Sequence, residues 1–179
     1  QALEMELVRR HIPYDYRGGT RFFERAHVKD VLAFLRAFAN LRDTISWKRI
    51  LSLQVGIGDV QAEKIAIGIA SLSSPSDVES LSHLVGARAS LGWSDFLTIW
   101  RRVLDSERLP AHLIQAVIDS KYREYLENEY PDARERLEDL EQLAGFAEKN
   151  TDLEKFLAES SLEEKFRGVN EVTARKDKI

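Results

Sequence analysis

The residues best placed to do chemistry in this chain are glycines beside bases. At 55–64 the run VGIGDVQAEK sets a Gly56-Ile57-Gly58 turn ahead of a helical pattern. A turn of that kind exposes backbone N–H groups at a helix start, where they and the helix dipole hold a phosphate. Gln61 and Lys64 fall within the first turns of that helix, and Lys48 and Arg49 lie just upstream. Backbone contacts of this sort position a nucleic acid without reading its sequence. The plainer reading is that a Gly-x-Gly turn merely joins two helices.

A second basic, glycine-containing stretch lies at 12–30. Ile12–Tyr16 reads as a short strand, and Gly18-Gly19 as a tight turn into a helix. Arg17, Arg21, Arg25 and Lys29 crowd that turn and the helix start. Phe22 and Phe23 beside them would suit a stacking surface for a single strand. The residues alone favour a simpler account: strand, turn and helix, with two core aromatics and solvated charges.

Other chemistry is excluded by residue type or spacing. With no cysteine, there is no disulfide, thiolate metal site or thiol nucleophile. His83 and His112 are isolated, so no metal site is expected. The carboxylates of 124–141 alternate with Arg, as in Arg134/Glu138 and Glu135/Asp139, and read as a solvated helical face. No nucleophile–base motif is present, and no catalytic residue is assigned.

These groups must be positioned by helices. Val28, Val31, Leu32, Leu35 and Phe38 form one apolar stripe. Ser46 is the expected cap of a short helix with Trp47, Ile50 and Leu51, and Asp59 that of a helix with Ile65 and Ile69. After the Ser73–Ser76 loop, Asp77–Leu84 reads as a short helix capped by Asp or Ser. Trp93, Phe96, Leu97, Trp100, Val103 and Leu104 make the strongest stripe, read as core and not as a base-stacking platform. Pro110 opens a helix running through Leu113, Val117 and Tyr122. Pro131-Asp132 restarts another through Ala147, and Asn150–Asp152 cap a last one over Leu153–Phe166. From Gly168 onward the chain is polar and expected to be extended. The total is roughly eight helices and one strand, an all-α fold with an N-terminal edge strand.

A chain of 179 residues with 44% hydrophobic and 31% charged residues supports one well-solvated core. No 18-residue apolar run crosses a membrane, and no signal pattern opens the chain. The net charge of −4 is unevenly spread. Lys/Arg number 11 against 8 Asp/Glu over 1–70, 4 against 6 over 71–120, and 11 against 16 over 121–179. Only a local basic patch is therefore available to a polyanion. The chain opens on Gln1 in what reads as mid-helix (Leu3, Leu7, Val8), the expectation being a piece of a larger protein.

GGTRFFERAHVKD, at 18–30, resembles the GGxxFFERxEIKD signature of the UvrD/PcrA/Rep-type superfamily 1A DNA helicases, with His27 where the family usually has Glu. VGIG resembles their RGIG element, with Val55 in place of Arg. SKYREYLENEYPDARERLEDLEQL resembles a later stretch of their 2B domain. The resemblance covers nearly the whole chain and is densest over 12–58. It implies residues 1–33 as a remnant of motor domain 2A, 34–167 as a compact helical 2B domain, and 168–179 as a return toward 2A. The implied function is that of an accessory 2B subdomain of an ATP-dependent 3'-5' helicase, which contacts duplex backbone and regulates unwinding. DNA-binding residues would be Gly56, Ile57, Gly58, Gln61 and Lys64, with Lys48 and Arg49 in support and Arg21 and Arg25 in the 2A remnant. The loss of a guanidinium at 55 implies weaker duplex binding than in a typical member.

The sequence contains no GxxxxGK[ST] phosphate loop, so this stretch is expected to hold no cofactor, ATP and Mg belonging to the parent enzyme. Implied partners are double-stranded DNA at a fork or junction, the rest of the same helicase, and a repair or transcription protein, in a bacterial cytoplasm near the nucleoid. The alternative is a protein-docking, autoregulatory helical module that uses the acidic 121–166 face.

Overall fold

The computed structural model describes Arg10 and residues 22–165, with side chains to Leu162. Ile12–Tyr16, Gly18-Gly19, Arg17, Arg21 and the stretch from Gly168 lie outside the described residues. Among those described there is no strand, and eight α-helices follow one another: α1 Ala26–Ala39, α2 Thr44–Ser52, α3 Asp59–Ala70, α4 Ser90–Asp105, α5 Pro110–Ile118, α6 Lys121–Glu129, α7 Ala133–Ala147 and α8 Leu153–Lys165. Short 3-10 segments at Phe22–Glu24, Pro75–Leu84 and Ala87–Ala89 fill the connections. The all-α expectation holds.

One apolar core runs through the molecule. The expected stripes of α1 and α4 are buried, with Val28, Val31, Leu32, Leu35, Phe96 and Val103 out of solvent. Trp47 of α2 meets the α4 stripe edge-on, its ring 4.7 Å from Trp100 and 6.2 Å from Phe96. The indoles of Trp93 and Trp100 donate to Ser82 Oγ (2.9 Å) and Pro75 O (3.0 Å), which anchors the 3-10 segment to α4. The Trp93/Phe96/Trp100 stripe is core. Helices α2 and α3 pack as a pair, α1 lies against α2 and α5, and α5 lies on α7. Phe22 and Phe23 also join this core, with Phe23 6.0 Å from Phe146 of α7.

Helix boundaries correct several expectations. Asp43 caps α2, accepting from Ser46 N (3.0 Å) and Ser46 Oγ (2.8 Å), so Ser46 is a first-turn donor and not the cap. An aspartate one turn earlier satisfies the orphan amide, which frees the serine to pack inside. Helix α3 starts one residue earlier than a cap at Asp59 requires: Gly58 holds the cap position, makes no side-chain cap bond, and leaves Asp59 as the first helical residue. The 75–84 segment is 3-10, capped by Ser74. The helix opened by Pro110 stops at Ile118; Ser120 accepts from Tyr122 N (3.2 Å) and starts a new helix at Lys121. In the last connection, Asp152 accepts from Lys155 N (3.0 Å) at the start of α8, as the Asn150–Asp152 signal implied.

Candidate nucleic-acid interface

The α2–α3 turn is built by two close approaches. Gly56 has φ +79°, and a Cβ there would stand 2.3 Å from Arg88 O. Gly92, in the first turn of α4, would bring a Cβ 2.2 Å from Val55 O. The turn is thus seated on Ala87–Gly92, with Ile57 plugged into the core. Gln61 adds a long hydrogen bond from Nε2 to Leu84 O (3.4 Å). Gly58 differs from these glycines. Its φ is −80° and a Cβ there would meet nothing within 4 Å, so neither strain nor packing requires glycine.

The outcome is a helix start left bare. The first intrahelical bond runs from Ala62 N to Gly58 O (2.9 Å), leaving the amides of Asp59, Val60 and Gln61 without helical acceptors. Gly58, Asp59 and Val60 are exposed. The macrodipole adds partial positive charge here. Asp59 acts in the opposite sense; its carboxylate accepts from Ser52 Oγ (3.2 Å) beside the turn. Lys64 is exposed and forms no ion pair among the described residues. Lys48 is shared with Glu63 of α3 at 3.2 Å, an exposed contact that a competing anion can replace at small cost.

The other expected bases are otherwise engaged. Arg49 donates from Nε to Asp30 Oδ1 (2.7 Å) and from Nη2 to Ala26 O (3.1 Å), bracing α2 against the start of α1. Arg25 bonds Asp139 Oδ2. Arg21 lies outside the described residues. The structure therefore places Gly56, Ile57 and Gly58 in one turn, with Gln61 and Lys64 on the first two turns of α3 and Lys48 on α2. Arg49 and Arg25 belong to a separate polar cluster.

That cluster was misread at the sequence level. Asp139 is buried (3% exposed) and not on a solvated face. Its Oδ2 accepts from Arg25 and from His27 Nε2 (2.8 Å), while Arg136 Nη1 lies 3.2 Å from His27 Nδ1. A guanidinium only donates, so His27 accepts at Nδ1 and carries its proton at Nε2. Burial alone would raise the Asp139 carboxyl, yet the bonds from His27 and Arg25 hold it below the usual value. Asp30 goes the other way: burial raises it despite Arg49 and a 3.0 Å bond from Tyr122 Oη. Burial next to Asp30 pushes the Tyr122 phenol well up, which keeps it a donor.

Two residues at the turn were missed, Arg88 and Gly92. Arg88 is exposed, and its backbone supports Gly56. Its signal was available: it is the one base between Lys64 and Arg101. Among the described residues no group of three or more acidic or histidine side chains could hold a metal, and no helix is long and apolar enough to cross a membrane.

Residues 1–88 match the family described as UvrD-like helicase C-terminal domain. The chain is 32% identical over 167 residues to the ATP-dependent DNA helicase UvrD1 of Mycobacterium tuberculosis, which covers 86% of this chain and 21% of that protein. It is 29% identical over 189 residues to the ATP-dependent DNA helicase PcrA of Staphylococcus aureus, covering 90% of this chain and 24% of that protein. The chain thus spans about a fifth to a quarter of the length of these relatives.

Proposed function

The chain belongs with the UvrD/PcrA-type superfamily 1 helicases, and we propose that it is the helical 2B part of such an enzyme, gripping duplex DNA by its phosphate backbone at the Val55–Gly58 turn. One observation carries this reading: the uncapped start of α3 at Gly58, where glycine serves neither conformation nor packing. Absence of a side chain at that point lets another backbone come close. Exposed amides and the dipole then meet a phosphate, and Lys64 and Lys48 supply charge nearby. The parent enzyme would be an ATP-dependent 3'-5' helicase in a bacterial cytoplasm, near the nucleoid. ATP and Mg would be held outside this stretch, and the orientation of this domain would regulate unwinding.

The test is fluorescence anisotropy against a labelled hairpin duplex and a matched single strand over a salt series. Duplex-preferred binding should weaken steeply with salt. Gly58→Asp separates grip from fold. Aspartate is a better cap than glycine and suits the dipole, so stability should hold or rise by about 0.5 kcal/mol. The same carboxylate occupies the amides and repels phosphate, so duplex affinity should drop about tenfold or more at low salt. Undiminished binding by this variant would refute the grip at Gly58.

A second reading has its own support. Glu124, Glu127, Glu129, Glu135, Glu138 and Glu141 are all exposed on α6 and α7, a face that repels DNA and suits a basic protein partner, a repair or transcription factor or the motor itself. Retention of a partner by variants neutralised at Lys48 and Lys64, with loss on charge reversal of these glutamates, would favour it.

A further inference from the structure

The start of α1 is fastened from three sides. Helix α7 holds it through Asp139, which takes bonds from Arg25 and His27, and through Arg136, which donates to His27. Helix α2 holds it through Arg49, which bonds Asp30 and Ala26 O. Helix α6 holds it through Tyr122, whose hydroxyl reaches Asp30 (3.0 Å). His27, Asp30 and Asp139 are each under 5% exposed, so the contacts made to them replace water that these buried polar groups cannot reach. Just ahead, Phe22 and Phe23 are sunk in the same core.

We propose that this cluster is a mechanical coupling: it makes the segment from Phe22 through the first turns of α1 one rigid unit with α2 and α7. A displacement delivered at Phe22 then reaches the Val55–Gly58 turn as rigid-body movement and is not absorbed by bending of α1. The path is short and continuous, running from Phe22 to Asp30, across the Asp30–Arg49 pair, and along α2 to the turn. His27 is the positioning residue at its centre, because it links Asp139 to Arg136 by donating from one ring nitrogen and accepting at the other. The coupling holds whatever ligand the turn receives.

Native-state hydrogen exchange of the chain tests it. In the unmodified protein, amides of Lys29–Leu32 should exchange within about threefold of those of Leu140–Ala144, since both open only together. His27→Leu keeps a buried side chain of similar size but removes donor and acceptor. It should speed exchange at Lys29–Leu32 by about tenfold relative to Ile65 and Ala66 of α3. His27→Gln retains one donor and one acceptor and should restore the original ratio to within about threefold. Arg136→Met, at the rim of the cluster, should shift the ratio in the same direction as His27→Leu and serves if that variant does not fold. Faster opening of α1 than α7 in the unmodified chain, or an unchanged ratio in both His27→Leu and Arg136→Met, would overturn the proposal.

Discussion

At the scale of single residues, the two glycines of the turn have opposite roles. Gly56 is required by the fold: φ is +79° and the space for a Cβ is taken by the Arg88 carbonyl. Gly56→Ala should cost about 1–3 kcal/mol in urea unfolding, through left-handed strain and displacement of Arg88. Gly58 has open space and an ordinary φ of −80°, so substitution there should leave the unfolding midpoint nearly unchanged. The contrast separates a glycine that shapes the turn from one that leaves room at it. Gly92→Ala should resemble Gly56→Ala, at about 1–3 kcal/mol, because its Cβ would press into the Val55 backbone.

At the scale of elements, what aims the turn is the way α2 and α3 are started and seated. Asp43 satisfies two donors of Ser46 at the head of α2, and Trp47 then drops into the α4 aromatics. Asp43→Ala should lower stability by about 1 kcal/mol, the usual worth of a cap, read by thermal unfolding. Helix α3 has no comparable cap, and its first amides face solvent. Helices α5 and α6 show the same logic in reverse. Ser120 caps a new helix where apolar spacing alone would have carried the old one on.

At the scale of the whole molecule, the buried carboxylates Asp139 and Asp30 contribute to the acid response with opposite signs. Asp139 is held below the ordinary value, so its stabilising contribution is present above about pH 4 and fades as pH falls further. Asp30 is raised, so its contribution is present below about pH 4 and lost as pH rises through its folded value. Asp139→Asn should therefore make the acid-side fall in thermal midpoint shallower. Asp30→Asn should make it steeper, because the opposing gain is gone. Midpoints recorded from about pH 7 down to about pH 3 would show both. The net charge of −4 has a further consequence: a DNA grip on this molecule must be local, and added salt should weaken it through the few bases near the turn.

The sequence by itself determined the helices whose apolar faces repeat at 3.6 residues, above all α1 and α4, and the burial of the tryptophan stripe. Side chains that recur on one face have to find a core, whatever packs against them. It also marked the Gly56–Gly58 turn, since a glycine pair before a helix is a local signal. Tertiary structure decided which charges were surface and which were buried. Asp139 sits among exposed glutamates and arginines in sequence, and it is the approach of Arg25 and α1 that covers it. The same approach takes Arg49 and Arg25 away from the surface chemistry their types implied and commits them to Asp30 and Asp139. Arg88 and Gly92 became part of the turn because 3-10 and α4 backbone fold back onto it, a contact between segments more than thirty residues apart that no local spacing encodes.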